Sequence, residues 1–171
     1  MSDTYSVDDL RYLMSRLRDS QTGCPWDIKQ TYQTIASHTV EEVYEVVDAI
    51  ERGDIEHLSE ELGDLLFQII FYSQLGAEDT AFDWDTIVSG ITEKLIRRHP
   101  HVFPDGTLQS VRSPDLVFDV KVINKQWEAT KNQERARKGE DGILADIPLV
   151  MPALDRAQKL QKRAASVGFD W

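Results

Sequence analysis

The chain has 171 residues, 41% hydrophobic and 29% charged, enough for one domain, or one domain plus an appendage, with a core that needs no metal or disulfide staple. Its 30 acidic and 19 basic residues give a formal net charge of −11, which repels a phosphate backbone and disfavours general nucleic-acid binding, but admits a small phosphorylated ligand if the acids first recruit cations. No run approaches the roughly 18–20 apolar residues of a membrane span, and the stretch from Met1 to Asp9 has neither a basic nor an apolar signal region, so no membrane partner is expected and the cytoplasm is the expected compartment.

Apolar residues recur at helical spacing almost everywhere, without low-complexity tracts or solenoid repeats. A first helix is expected from Ser6, with Asp9 as its capping-box partner and Leu10, Leu13, Met14 and Leu17 as its apolar stripe. Gly23 and Pro25 end it. Cys24, the single cysteine, excludes an internal disulfide or a thiolate metal site and is expected to pack. A second helix covers about 35–51, where Ala36, Val40, Val43, Val47 and Ile50 read as a bundle seam. Gly53 stops it and Asp54 caps a third helix over about 55–75, rich in Leu62, Leu65, Leu66, Ile69 and Ile70.

After a link at 76–83, a fourth helix is expected over about 85–99, with Ile87, Ile91 and Leu95 inward and Pro100 as its stop. Residues 104–113 read as a loop. Ser113, Pro114 and Asp115 then make a helix start followed by Leu116, Val120, Ile123 and Trp127. The charged run at 131–138 reads as solvated, and the link at 139–142 precedes a last helix from near Pro152 to near Gly168. Short early loops favour antiparallel neighbours, so the expected fold is an all-α helical bundle. The expected division is a catalytic bundle at 1–110 and C-terminal helices at 111–171.

Acids stand where core faces begin on the second and third helices. Glu41, Glu42 and Glu45 form Glu-Glu-x-x-Glu; Glu61 and Asp64 form Glu-x-x-Asp after fifteen intervening residues. Residues three or four apart share a helix face, so Glu42 with Glu45 can meet Glu61 with Asp64 across the Gly53–Asp54 turn. Four such carboxylates repel one another unless a cation lies between them, and an oxygen-only donor set suits Mg²⁺ or Mn²⁺. A single Glu-x-x-Glu is also what a solvated helix carries; two such pairs beside apolar runs strengthen the metal reading. A di-iron bundle would need Glu-x-x-His pairs, and the chain has none.

Lys94, Arg97 and Arg98 form a basic group that fits phosphate oxygens, although basic residues also suit a helix C-terminus. His99-Pro100-His101 reads as helix termination with possible phosphate contact, since no further zinc ligands lie at suitable spacing. Trp26, followed by Asp27 and Gln30, can stack on a base or pack at the bundle end.

Together these residues resemble the MazG family of nucleoside triphosphate pyrophosphohydrolases. The strings are Gly-Cys-Pro-Trp-Asp at 23–27 with Gln30-Thr31, Glu-Glu-x-x-Glu-Val at 41–46 and Glu-Leu-Gly-Asp-Leu-Leu-Phe-Gln at 61–68. Lys-Leu-Ile-Arg-Arg-His-Pro-His-Val-Phe at 94–103, Arg-Ala-Gln-Lys-Leu-Gln-Lys-Arg at 156–163 and Val-Gly-Phe-Asp-Trp at 167–171 continue it. The resemblance implies a dimerising bundle of the all-α pyrophosphohydrolase superfamily that cleaves NTP or dNTP to the monophosphate and pyrophosphate. It implies that Glu42, Glu45, Glu61 and Asp64 bind Mg²⁺, with Glu41 a helper or water-orienting base. It further implies that Lys94, Arg97 and Arg98 hold the triphosphate, and that Trp26, Asp27 and Gln30 sit near the nucleoside. Members often carry two such domains in tandem, and this chain has one acid motif set. The rival expectation is therefore a dimerising, nucleotide-sensing regulatory half with weak or no catalysis. Action on phosphoribosyl-ATP fits the flanking strings less well.

Overall fold

The computed structural model describes residues 4–137, 142, 144–145 and 147–169. Among them it contains six α-helices and no strand: α1 (Val7–Leu17), α2 (Tyr32–Arg52), α3 (Ile55–Glu78), α4 (Trp84–Arg98), α5 (Val120–Arg137) and α6 (Ala153–Ala165), with a 3₁₀ turn at Asp27–Lys29. Two compact units divide the chain, Met1–Glu93 and Lys94–Trp171, the division falling inside α4. The all-α expectation holds.

In the first unit, Ser6 caps α1 through the expected reciprocal box with Asp9. α2 starts three residues earlier than its apolar pattern suggests, because Thr31 and Thr34 cap it reciprocally. At its other end Gly53 adopts φ 69°, the left-handed conformation that costs a residue without Cβ little. Asp54 accepts a hydrogen bond from the His57 amide and starts α3 at once. So short a turn makes α2 and α3 antiparallel neighbours, and the hydroxyls of Thr39 and Tyr72 meet at 3.0 Å between them. α3 does not stop before Gly76 but runs through it to Glu78.

Met14, Ile35, Ile70, Phe71 and Leu75 form the core, with Leu10, Tyr32, Leu66, Phe67, Tyr72 and Trp84 packed around it. The α2 stripe expected as a seam is different. Val40, Val43, Val47 and Ile50 are about half exposed, and Ile35 and Ala49 are the buried residues of α2. The apolar period is genuine, but within one chain α2 buries a face rotated away from that stripe. Leu62 and Ile69 on α3, and Ile91 and Leu95 on α4, are likewise exposed.

In the second unit, α5 begins at Val120 rather than at Ser113. Ser113 to Leu116 closes as an isolated turn, and the Asp119 carboxylate accepts from the Lys121 amide to open the helix. Phe118 explains the delay: its ring meets the His101 ring at 5.8 Å and lies under the Arg112 guanidinium at 5.7 Å, holding the chain out of helix. α6 follows Pro152 and ends in the turn before Gly168, as its pattern suggests. Residues 139–141 of the expected link, and 170–171 of the last family string, lie outside the described residues.

One side chain ties the loop after α1 to the core. Arg18, 7% exposed, donates from Nε and Nη2 to the Glu78 carboxylate at 2.6–3.1 Å and from Nη1 to the carbonyls of Asp27 and Gln30. Its guanidinium lies 5.3 Å from the centre of the Phe71 ring. The arginine, and Gln74 on the same oxygen, hold the Glu78 carboxyl below the usual range. Replacing Arg18 by Met leaves two carbonyls and a half-buried carboxylate without their donor, so urea unfolding should show a loss of about 2–3 kcal/mol; an unchanged midpoint contradicts this role.

Candidate active site

The α2–α3 hairpin gathers the acids. Carboxylate oxygens of Glu42, Glu45 and Glu61 lie within 4.8 Å of one another, the arrangement expected of a cation site. Glu45 is exposed at the mouth, Glu42 half-buried, and Glu61 buried at 7% exposure. Asp64 stands outside this tightest group but close enough to act electrostatically on Glu42. Burial first, then the charges of Asp64, Glu45 and Glu61, push the Glu42 carboxyl above its ordinary range. The donor set is carboxylate oxygen throughout, which fits a hard divalent cation. Glu41, one residue away, turns elsewhere: it is exposed and 3.7 Å from His38 Nδ1.

The buried Glu61 has a partner that its motif does not reveal. His57, one turn earlier, brings Nε2 to 2.9 Å from Glu61 Oε1 and Nδ1 to 3.6 Å from Glu60. One Glu61 oxygen therefore lies within ion-pair distance of an imidazole.

The turn at 23–30 presents Trp26, about half exposed, with its ring edge to His38 at 6.0 Å. Asp27 is buried, and Gln30 donates from Nε2 to the Trp26 carbonyl at 3.0 Å. Of these three, Trp26 is therefore the one whose side chain is open to a ligand, while Gln30 shapes the turn. Gly23 permits the fold-back: a Cβ there would meet the Leu17 and Asp19 carbonyl oxygens at 2.4 and 2.5 Å.

The basic group lies in the second unit, at the end of α4. Arg97 and Arg98 both close on one carboxylate, Glu134 of α5. Arg97 reaches Oε1 from Nε at 2.9 Å and Nη2 at 2.7 Å; Arg98 reaches Oε2 at 3.2 and 2.5 Å. Glu134 is thus not solvated as its charged run suggests: its side chain is 16% exposed. The Arg98 hydrogen bond first, and then Arg97, hold its carboxyl at about 2. His99 bonds through Nδ1 to the Leu95 carbonyl at 2.6 Å and ends the helix; neither it nor His101 joins a metal-type cluster among the described residues.

Arg18, His57 and Glu134 were not singled out by sequence motif. Arg18 does fall four residues after Met14, on the buried face of α1, and Glu134 falls seven after Trp127 on its stripe. A charge on an apolar stripe was the available signal. His57 gives none beyond its i,i+4 spacing from Glu61.

The cluster on α2–α3 holds like charges together in the metal-free chain. Glu42→Gln removes part of that repulsion and should raise the melting temperature in EDTA by about 1–3 °C; a fall would contradict the electrostatic description of the cluster.

Residues 30–103 match the MazG nucleotide pyrophosphohydrolase domain. The chain is 50% identical over 165 residues to a nucleoside triphosphate pyrophosphohydrolase of Escherichia coli, covering 96% of this chain and 59% of that protein. It is 41% identical over 164 residues to the nucleoside triphosphate pyrophosphohydrolase/pyrophosphatase MazG of Thermotoga maritima, covering 96% and 58%. It therefore spans somewhat under two thirds of the length of these relatives. A crystal structure of a mazG-related protein from Thermotoga maritima shares the fold, with TM-score 0.58, 24% identity, and coverage of 73% of this chain and 98% of that one. The domain match over residues 30–103, set on a helix pair whose acids converge, and identity along nearly the whole chain make this protein similar to the MazG pyrophosphohydrolases.

Proposed function

We propose that the chain hydrolyses nucleoside triphosphates, NTP or dNTP, to the monophosphate and pyrophosphate in a Mg²⁺-dependent reaction. The observation that carries this reading is the convergence of Glu42, Glu45 and Glu61 within 4.8 Å on adjacent helices of a MazG domain. Glu42, Glu45, Glu61 and Asp64 would hold Mg²⁺, with Mn²⁺ an acceptable substitute. When bound there, the ion would supply charge neutralisation at the phosphates and a lower pKa for the attacking water. Glu41, which faces His38 outside the cluster, would turn toward the site to orient that water or take its proton. Lys94, Arg97 and Arg98 bind the triphosphate and stabilise charge on the leaving pyrophosphate. Trp26 packs on the nucleoside, with Asp27 and Gln30 shaping the turn that carries it.

A homodimer accompanies this reading. Val40, Val43, Tyr44, Val47 and Ile50 leave α2 with an exposed apolar stripe, and Leu62 and Ile69 add to it from α3. Apolar faces of this kind are covered in assemblies. No described helix is long and apolar enough to cross a membrane; the reading places the enzyme in the cytoplasm, and the strongly negative charge supports small nucleotides rather than nucleic acid as its substrates.

The test is a product analysis. A mixture of NTPs and dNTPs is incubated with the chain, with and without Mg²⁺, beside Glu61→Gln. Monophosphate and pyrophosphate that require Mg²⁺ and fall at least about 100-fold in the variant are expected. Diphosphate and phosphate would place cleavage at the other anhydride. Nucleotide binding without turnover would favour a regulatory module.

A further inference from the structure

We infer that Glu134 is a positioning residue for the triphosphate, which makes α5 part of the substrate site. This rests on the reading above that Arg97 and Arg98 bind phosphate. Adjacent residues on a helix do not face each other, so two consecutive arginines diverge by default. Glu134 overcomes this by giving one oxygen to each: Oε1 to Arg97 and Oε2 to Arg98, each held by Nε and Nη2. Both guanidiniums are drawn to one carboxylate and fixed in direction.

A guanidinium carries five N–H donors in a rigid plane. Each arginine uses its Nε edge on Glu134, leaving Nη1 and the second Nη2 proton for phosphate oxygens. The Arg98 and Glu134 side chains are 17% and 16% exposed, so their part of the fork is sheltered, while Arg97, at 48%, opens to solvent. The carboxyl stays ionised far below neutral pH, so the fork persists through the physiological range. With Lys94 the group retains two net positive charges.

Glu134 also has an opposing effect, since it cancels one charge that phosphate would feel. The exposed position of Arg97 screens much of that gain, whereas freeing two long side chains restores the rotamer entropy that the fork has removed before substrate arrives. Ordering is therefore expected to dominate.

The experiment compares the chain with Glu134→Gln, Glu134→Asp and an Arg97→Gln/Arg98→Gln pair. Calorimetry measures inorganic tripolyphosphate binding in EDTA, where the acidic cluster holds no cation, and steady-state kinetics are measured with Mg²⁺ and NTP. Glu134→Gln should weaken tripolyphosphate binding and raise KM by about tenfold with kcat changed less than about threefold, and Glu134→Asp, which keeps the charge, should recover part of the loss. Melting curves identify any variant that fails to fold, in which case Glu134→Asp alone carries the comparison and is expected to weaken binding measurably. Unchanged affinity in both Glu134 variants, with the arginine pair impaired, would overturn the positioning role. Tighter binding in Glu134→Gln would overturn it too, making the carboxylate a competitor for the fork. Unchanged affinity in the arginine pair would instead remove the phosphate reading beneath it.

Discussion

Mutual repulsion among carboxylates is the constraint around which the first unit is built. Glu42, Glu45 and Glu61 come within 4.8 Å only because Gly53 and Asp54 fold α2 straight back along α3. The core contacts of Ile35, Ile70 and Phe71 then hold the two helices together against that repulsion. The raised carboxyl of Glu42 is the electrostatic signature of the same conflict. A cation would resolve it, so the feature that weakens the metal-free chain is the one on which the proposed chemistry rests.

Two arginine forks solve complementary problems. Arg18 fixes a loop: it joins the end of α3, through Glu78, to the carbonyls of the turn that carries Trp26. Glu134 fixes a pair of cations at the end of α4. In each case a charge lies on an otherwise apolar stripe and finds a partner distant in sequence, which is how a folded chain tolerates a poorly solvated ion.

Helix content and order were legible because period and punctuation agree: Ser6 with Asp9, Gly53 with Asp54, and Pro152 all mark real ends. The acid motifs were legible because i,i+3 spacing on two helices joined by a tight turn leaves little freedom of placement. Three readings differed for definable reasons. The start at Ser113 had good capping chemistry, but Phe118 engages His101 and Arg112 instead. The stripe from Val40 to Ile50 has the period of a seam yet is exposed in the single chain, since periodicity reports that a face is apolar and not what covers it. The solvated run at 131–138 concealed Glu134, whose partners 36 and 37 residues away are visible only in three dimensions.

The central claim, that the α2–α3 carboxylates form a divalent-cation site, is tested most directly by melting the chain across a Mg²⁺ titration beside Glu61→Ala. A ligand that binds only the folded state raises stability by RT ln(1 + [L]/Kd), about 2.7 kcal/mol at 100 times Kd. The account predicts a saturable rise in melting temperature for the chain and little or none for the variant. An equal rise in both, or none in either, would contradict it.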